Sequence, residues 1–319
     1  MVHNHHHDDH GHDHHDHGHS HGHAHVHAPK NFGPAFAIGV ALNLGFVIAE
    51  AVYGLLANSI ALVADAGHNL GDVLGLAMAW TAMALARRAP SQTLTYGLRR
   101  GTILAALMNA VLLLVTVGAI GVEGVRRLFE PAAVAGVTVM AVAAAGIVVN
   151  GVTAWLFASG RKGDINLRGA FLHMASDALV SLGVVIAGAI ILTTGWTWLD
   201  PLVSIVIAIL ILWGTWGLLR DSLAMALDAV PANIKLDEVR AFLERQPGVA
   251  GIHDLHIWPM STTETALTCH CLLPGGHPGD EFLVRLAHEL EARFAIGHAT
   301  IQVEVNAHVA CALEPDRVV

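Results

Sequence analysis

The sequence predicts a membrane-embedded bundle of six α-helices carrying a C-terminal cytoplasmic α+β domain. Three observations predict it. Of 319 residues, 54% are hydrophobic and only 13% are Asp, Glu, Lys or Arg, against roughly a quarter charged in soluble domains. Long stretches between residues 34 and 219 carry almost no charge, and several reach the ~20 apolar residues that a helix needs to cross ~30 Å of hydrocarbon. From residue 221 onward the composition returns to that of a soluble domain. This balance excludes a disordered chain and argues against an ordinary soluble enzyme. The formal charge of −9 lacks the basic excess of a nucleic-acid binder, so no nucleic-acid partner is expected.

Residues 1–30 read as a low-complexity tail. Fourteen of the first 27 residues are His, interspersed with Asp8, Asp9, Asp13, Asp16 and Gly. Such a segment cannot bury apolar surface and is expected to be disordered. It has no apolar core of the kind a signal peptide needs. An expression tag is an uninterrupted His run, whereas this tail alternates, so it reads as a native metal-binding segment. Its candidate ligands are His5, His6, His7, His10, His12, His14, His15, His17, His19, His21 and His23.

The domain spanning 31–220 reads as six transmembrane helices over 34–57, 60–86, 101–121, 133–159, 169–192 and 199–219. Only Asn58 and Ser59 separate the first two, which predicts a tight hairpin. Orientation follows from Lys and Arg in short loops. Lys30, Arg87, Arg88, Arg99, Arg100, Arg161, Lys162, Arg168 and Arg220 fall on one side, and Arg126 and Arg127 on the other. That asymmetry places both termini in the cytoplasm, with the bacterial inner (plasma) membrane as the expected location. Asp200, followed by Pro201, reads as a helix N-cap with Pro at the first helical position. Asn109 and Asn150 are expected to hydrogen-bond between helices.

In residues 221–319, helical periodicity covers 236–245 and 280–294, and strands are expected over 251–258, 264–273 and 299–305. The order α-β-β-α-β describes a ferredoxin-like, metallochaperone-like domain of ~90 residues. It is too small for a large core and is expected to lean on a partner surface or a metal. Cys269, Cys271 and Cys311 make no disulfide framework and suit a reducing compartment.

The functional signal lies in ionisable residues at bilayer depth. A charge at mid-membrane costs about 2.5–3.5 kcal/mol on insertion scales and so marks a function. His68 with Asp72 and His173 with Asp177 repeat one pattern, HxxxD. A spacing of four puts both side chains on one helix face. Two such faces can supply two imidazole nitrogens and two carboxylate oxygens, a tetrahedral set suited to Zn2+. Two carboxylates also neutralise one divalent cation. Asn43 and Glu50 share a face of the first helix, and Glu50 is a candidate gate or proton site. Asp65 is read as a cap or hairpin stabiliser near the start of the second helix. Gly67, Gly71, Gly169 and Gly183 flank the pairs and can permit close helix approach. A phosphate-binding loop and a phosphorylatable DKTG-like motif are both missing, so an ATP-driven pump is not expected, nor any organic cofactor.

The stretch Ser59-Ile-Ala-Leu-Val-Ala-Asp-Ala-Gly-His-Asn-Leu-Gly-Asp72 resembles the second-helix motif of the cation diffusion facilitator family. Gly169-Ala-Phe-Leu-His-Met-Ala-Ser-Asp177 is similar to its fifth-helix motif, and His253-Asp-Leu-His-Ile-Trp258 to the first strand of its cytoplasmic domain. The resemblance runs over residues ~32–306 and points to the zinc-exporting branch. It implies a homodimer, metal/proton antiport with Zn2+ as substrate, and a cytoplasmic domain in which Zn2+ is a regulatory ligand. His253, Asp254, His256, Cys269, His270, Cys271, Glu304, His308 and Cys311 form a second cluster in the sequence. Strand alternation sets His270 opposite Cys269 and Cys271. By resemblance, His253, His270 and Glu304 are the ligand candidates. Some family members carry His where this chain has Gln302, a departure that bears on a binuclear site. Physically, Zn2+ binds neutral His and ionised Asp, so protons compete with it for the same groups. That competition suffices to couple Zn2+ export to proton entry, with Cd2+, Co2+ or Ni2+ as further candidate substrates; the alternative is a membrane-anchored sensor or buffer that binds metal without moving it.

Overall fold

A computed structural model describes residues 34–130, 132–158, 165–306, 309, 311 and 313. The His-rich tail, Arg161, Lys162 and His308 lie outside the described residues. The first six helices are α1 (Pro34–Leu56), α2 (Ile60–Ala86), α3 (Gly101–Phe129), α4 (Gly136–Ala158), α5 (Ile165–Thr194) and α6 (Leu199–Ala226). Among the described residues, five helices, α2 to α6, are long and apolar enough to cross a membrane. Helix α1 adds a sixth apolar helix of 23 residues.

Large apolar side chains cover the outside of the bundle, among them Trp213, Phe129, Trp155 and Leu179. The centre is built from small and branched residues, including Ala61, Leu62, Ala64, Val139, Ala143, Val184 and Ala208. Small residues are what membrane helices use at contacts, because lipid supplies no hydrophobic push and packing must be close. Gly71 is such a contact: a Cβ built there would lie 2.1 Å from Leu113 Cδ2 of α3. Gly183 faces open space and has no such role.

Three expectations about helix ends are corrected. Helix α3 runs to Phe129, well beyond 121. Glu123 pairs with Arg126 and Arg127 at 3.6 and 3.0 Å, one turn on. Hydropathy marks where a helix leaves hydrocarbon, whereas these pairs let it continue in water. Asp200 is not the N-cap of α6; Trp198 holds that position. The Asp200 carboxylate instead accepts the Ser59 hydroxyl and the Ile60 N–H, the latter at 2.8 Å. It therefore caps α2 from across the bundle, assisted by Arg127 Nη1 donating to Asn58 O at 2.6 Å. Asp65 is no cap either: Ser59 caps α2, accepting from Leu62 N.

The C-terminal domain comprises α7 (Leu236–Glu244), β1 (Gly251–Pro259), β2 (Thr265–Leu272), α8 (Asp280–Phe294) and β3 (Ile296–Glu304). The sheet order is β1-β2-β3, with β1–β2 antiparallel and β2–β3 parallel. The parallel pair requires a crossover, which α8 supplies. Strand β3 starts three residues earlier than its apolar run suggests. Ala295, at φ 57°, closes α8 in a left-handed cap and turns the chain straight into the strand. Val239, Leu243, Leu267, Leu286, Leu290 and Ile296 form its core.

The domain docks on the α2–α3 loop. Arg99 Nη1 meets Glu264 Oε1 at 2.8 Å, Arg100 pairs with Asp228, and Thr262 N donates to Thr102 Oγ1 at 3.1 Å. The domain and the arginine-rich loop thus lie at one end of the bundle.

Candidate functional site

His68 and Asp72 lie roughly 12–18 Å along α2 from Ile60 at 1.5 Å per residue, well inside a bilayer-spanning helix. His173 and Asp177 occupy the facing turns of α5. The two HxxxD faces meet. His68 Nε2 lies 3.6 Å from Asp72 Oδ2 and 3.7 Å from Asp177 Oδ1. His173 Nε2 lies 3.1 Å from Asp72 Oδ2 and 3.6 Å from Asp177 Oδ2. The two imidazoles stand nearly perpendicular, at 83°, with centroids 5.9 Å apart.

These separations are those of ligands around one ion. With metal–ligand bonds of ~2.0–2.1 Å, the edges of a tetrahedron are about 3.3–3.4 Å. Within the cluster, Asp72 Oδ2 and Asp177 Oδ2 are buried and lack a hydrogen-bond partner. Buried polar atoms normally find partners, so convergent orphans mark a place for a ligand. His68, Asp72 and His173 each offer one atom within 4.8 Å of the others. Asp177 straddles the pair, one oxygen toward each imidazole, and a small turn of its carboxylate would bring one oxygen to bear on a shared ion. Exposure across the cluster is uneven, with His173 40% exposed and Asp177 3%.

A second acidic layer sits behind it. Glu50 of α1 is fully buried, and Asp65 of α2 is 1% exposed. Asn69 Nδ2 donates to Glu50 Oε2 at 3.3 Å, and Ser181 Oγ donates to Asp65 Oδ2 at 3.2 Å. Glu50 Oε1 and Asp65 Oδ1 have no partner. Asn43 reaches the other way, donating to Thr153 Oγ1 of α4 at 3.2 Å. Of the expected interhelical amides, Asn109 leaves its Oδ1 and Asn150 its Nδ2 without a partner.

The cytoplasmic-end domain gathers a second set. Strand register pairs His253 with His270, and Leu272 with Glu304. His253 Nε2 lies 3.4 Å and His270 Nδ1 2.9 Å from Glu304 Oε1. As strand alternation requires, Cys269 and Cys271 turn to the opposite face, where both are buried with sulfurs 3.7 Å apart. The contact with Cys271, then burial, pushes the Cys269 thiol upward and makes it a poor ligand. Burial opposes ionisation of Glu304, but hydrogen bonds from His270 and Cys311 hold its carboxyl below the usual range. Gln302 Nε2 lies 3.5 Å from His270 Nδ1 and 3.4 Å from Glu304 Oε1. An amide thus stands against the pair.

Two residues that strand reasoning did not select join this set. Cys311 Sγ lies 3.6 Å from His270 Nδ1. Asp254, at φ 51° in a bulge of β1, sets Oδ2 3.6 Å from His270 Nε2 and accepts or shares a proton with His256 at 2.9 Å. The bulge carries no sequence signal beyond Asp254 itself, since non-Gly residues at positive φ favour Asp. His277 and His298 stay apart, the first accepting from Gly279 N at 3.1 Å, the second stacking edge-on with Tyr96 at 5.8 Å.

A bundle of apolar helices that converges His and Asp at bilayer depth, with a small α+β domain at one end, defines an integral membrane protein of the transporter class. The chain belongs to the cation efflux family. The family model for the cation efflux transmembrane domain matches residues 36–225, and that for the cation efflux protein cytoplasmic domain matches residues 231–306. The chain is 37% identical over 276 residues to a cadmium, cobalt and zinc/H(+)-K(+) antiporter of Bacillus subtilis, covering 85% of this chain and 88% of the relative. It is 38% identical over 269 residues to the metal cation efflux system protein CzcD of Cupriavidus metallidurans, covering 84% and 85%. It is 38% identical over 271 residues to the zinc transporter ZitB of Escherichia coli, covering 84% and 86%. Among solved structures, the metal-bound C-terminal domain of the CzcD transporter from Cupriavidus metallidurans is 38% identical. It spans 22% of this chain and 99% of that one, at a TM-score of 0.21.

Proposed function

We propose that the chain is a proton-coupled antiporter that exports Zn2+ from the cytoplasm. The observation that carries this reading is the convergence of His68, Asp72, His173 and Asp177 at 3.1–3.7 Å on facing helices. The family and the names of the relatives support it, and Cd2+ and Co2+ join Zn2+ as candidate substrates on the same ground. Asp72 and Asp177 balance the charge of one divalent ion, and the two imidazoles complete its coordination. Zn2+ needs neutral imidazole and ionised carboxylate, so protons and metal exclude each other at these atoms. Rocking of α2 and α5 against the other helices then exposes the site alternately to each side. Glu50, buried behind the site and accepting from Asn69, is assigned to proton carriage or gating.

The remaining assignments follow the same reading. Residues 1–30 act as a cytoplasmic metal-collecting tail, 31–220 as the transport domain and 221–319 as the metal-binding and dimerising domain. The family description of the cytoplasmic domain supports a homodimer. Both termini lie in the cytoplasm of a bacterial inner membrane, in keeping with the docking of the C-terminal domain on the arginine-rich α2–α3 loop. His253, His270 and Glu304 hold a regulatory Zn2+; their fit rests on the buried, unpartnered His253 Nε2.

The test is Zn2+ flux into sealed proteoliposomes under an imposed pH gradient, with the intact chain and Asp177→Ala side by side. The expected result is gradient-dependent flux that the substitution abolishes. Flux indifferent to the gradient would indicate a passive pathway, and metal binding without flux would indicate a sensor or buffer.

A further inference from the structure

Cys311 lies seven residues beyond the end of β3, yet its sulfur returns to the sheet face that carries His253, His270 and Glu304. Those three residues leave a tetrahedral ion one ligand short. His253, His270, Glu304 and Cys311 each present one donor atom, all within 4.8 Å of one another. For bonds of ~2.0–2.1 Å to nitrogen or oxygen and ~2.3 Å to sulfur, tetrahedral edges are about 3.3–3.4 Å between N and O and 3.5–3.6 Å between N and S. His253 Nε2 to Glu304 Oε1 is 3.4 Å, and His270 Nδ1 to Cys311 Sγ is 3.6 Å. The remaining short edge, 2.9 Å between His270 Nδ1 and Glu304 Oε1, is the hydrogen bond that a metal would replace.

The other ring nitrogen of His270 supplies a second, independent observation. Metal-bound histidines usually direct their free N–H at a carboxylate, which fixes ring and tautomer. His270 turns Nδ1 toward Glu304 and Cys311, and Asp254 Oδ2 stands 3.6 Å from its Nε2.

We propose that Cys311 is the fourth ligand of the cytoplasmic metal site, making it a two-histidine, one-carboxylate, one-thiolate site completed within a single chain. The inference rests on the assignment of His253, His270 and Glu304 as ligands. On binding, a sulfur–metal bond forms and the thiol proton is released to solvent. The thiolate changes what the site selects: soft donors favour Zn2+ and related soft ions over Mg2+, Ca2+ or Mn2+. The transport site, with imidazole and carboxylate donors only, lacks the added preference that a thiolate gives. Cysteines 269 and 271 cannot substitute, because they face the core.

The test uses the full chain in detergent under reducing conditions, titrated with Co2+ as the spectroscopic metal. A thiolate ligand gives a near-ultraviolet sulfur-to-cobalt charge-transfer band that the His-rich tail and the transport site, having no sulfur, cannot give. The band is expected in the intact chain and in the Cys269→Ala/Cys271→Ala double variant, and is expected to vanish in Cys311→Ser and in His270→Ala. Cys311→Ser is further expected to weaken Zn2+ at this site at least as much as loss of an outer-shell partner, roughly 10–100-fold. Absence of the band from the intact chain, or its persistence in Cys311→Ser, overturns the inference. If the band is absent but His270→Ala still removes one bound Co2+, the three-residue site stands and only Cys311 falls. If the band survives His270→Ala, the three-residue site fails as well.

Discussion

The chain holds two convergent clusters of His and acidic side chains, one in the helix bundle and one in the C-terminal domain, and they are built on different terms. In the bundle, His68, Asp72, His173 and Asp177 come from two helices whose inner faces meet, and the unpartnered atoms are carboxylate oxygens as well as an imidazole nitrogen. In the small domain, His253, His270 and Glu304 come from three hydrogen-bonded strands, with the Glu304 carboxylate hydrogen-bonded to His270 at 2.9 Å and 3.4 Å from His253 Nε2. Helices can rock on one another, whereas strands in one sheet are held by a shared ladder. A site between movable elements suits an ion that must enter and leave. A site within one sheet suits an ion that stays and fixes a shape.

This contrast can be broken or sharpened by experiment, beginning with the largest effect. Asp177→Ala removes the most buried of the four proposed ligands and is expected to abolish proton-driven Zn2+ flux in proteoliposomes, while the folded protein persists by size-exclusion chromatography. Flux near the level of the intact chain would remove the basis for calling that site the transport site. Next, Glu50→Gln keeps the shape of the second layer but cannot ionise. Proton movement measured per Zn2+ is expected to fall while Zn2+ binding survives; an unchanged ratio would restrict proton carriage to the four ligands.

Asp200→Ala tests the scaffold of α2, which carries half of the proposed transport site. It leaves the Ser59 hydroxyl and the Ile60 N–H of α2 without their acceptor, a loss of about 1–3 kcal/mol. Thermal unfolding in detergent is expected to shift downward, with residual flux per folded molecule retained. Deleting residues 1–27 should have a smaller effect, raising the Zn2+ concentration needed for half-maximal flux without lowering the maximum; loss of the maximum would make the tail part of the pathway. The smallest effect belongs to the sheet. Glu304 is held below its ordinary range by His270 and Cys311, so its ionised form stabilises the fold. That contribution is present above the unfolded carboxylate value near 4.5 and fades as pH falls through the lower folded value. Glu304→Gln is therefore expected to flatten the acid limb of the metal-free stability profile, read by circular dichroism.

Much of the bundle is legible in the chain because a bilayer is a harsh and uniform solvent. It demands ~20-residue apolar runs and penalises every charge, so helices and the two HxxxD pairs stand out. The same uniformity hides helix ends, as α3 shows by continuing through Glu123, Arg126 and Arg127. The strands of the small domain are readable by alternation, which sorts His270 from Cys269 and Cys271. Its bulge at Asp254 and the return of Cys311 are not readable, since both depend on contacts between segments far apart in sequence.

By itself, the sequence determined that the chain crosses a membrane, that two helices carry matched His and Asp faces, and that a small α+β domain follows. These are consequences of composition and of periods of 3.6 and 2 residues, which act locally. Only the tertiary structure decided that the two faces meet, that Asp200 caps α2 and not its own helix, that Glu50 and Asp65 form a sealed layer behind the site, and that Cys311 stands beside His270. Local rules set which way a side chain points; what it meets is set by the packing of the whole bundle and sheet.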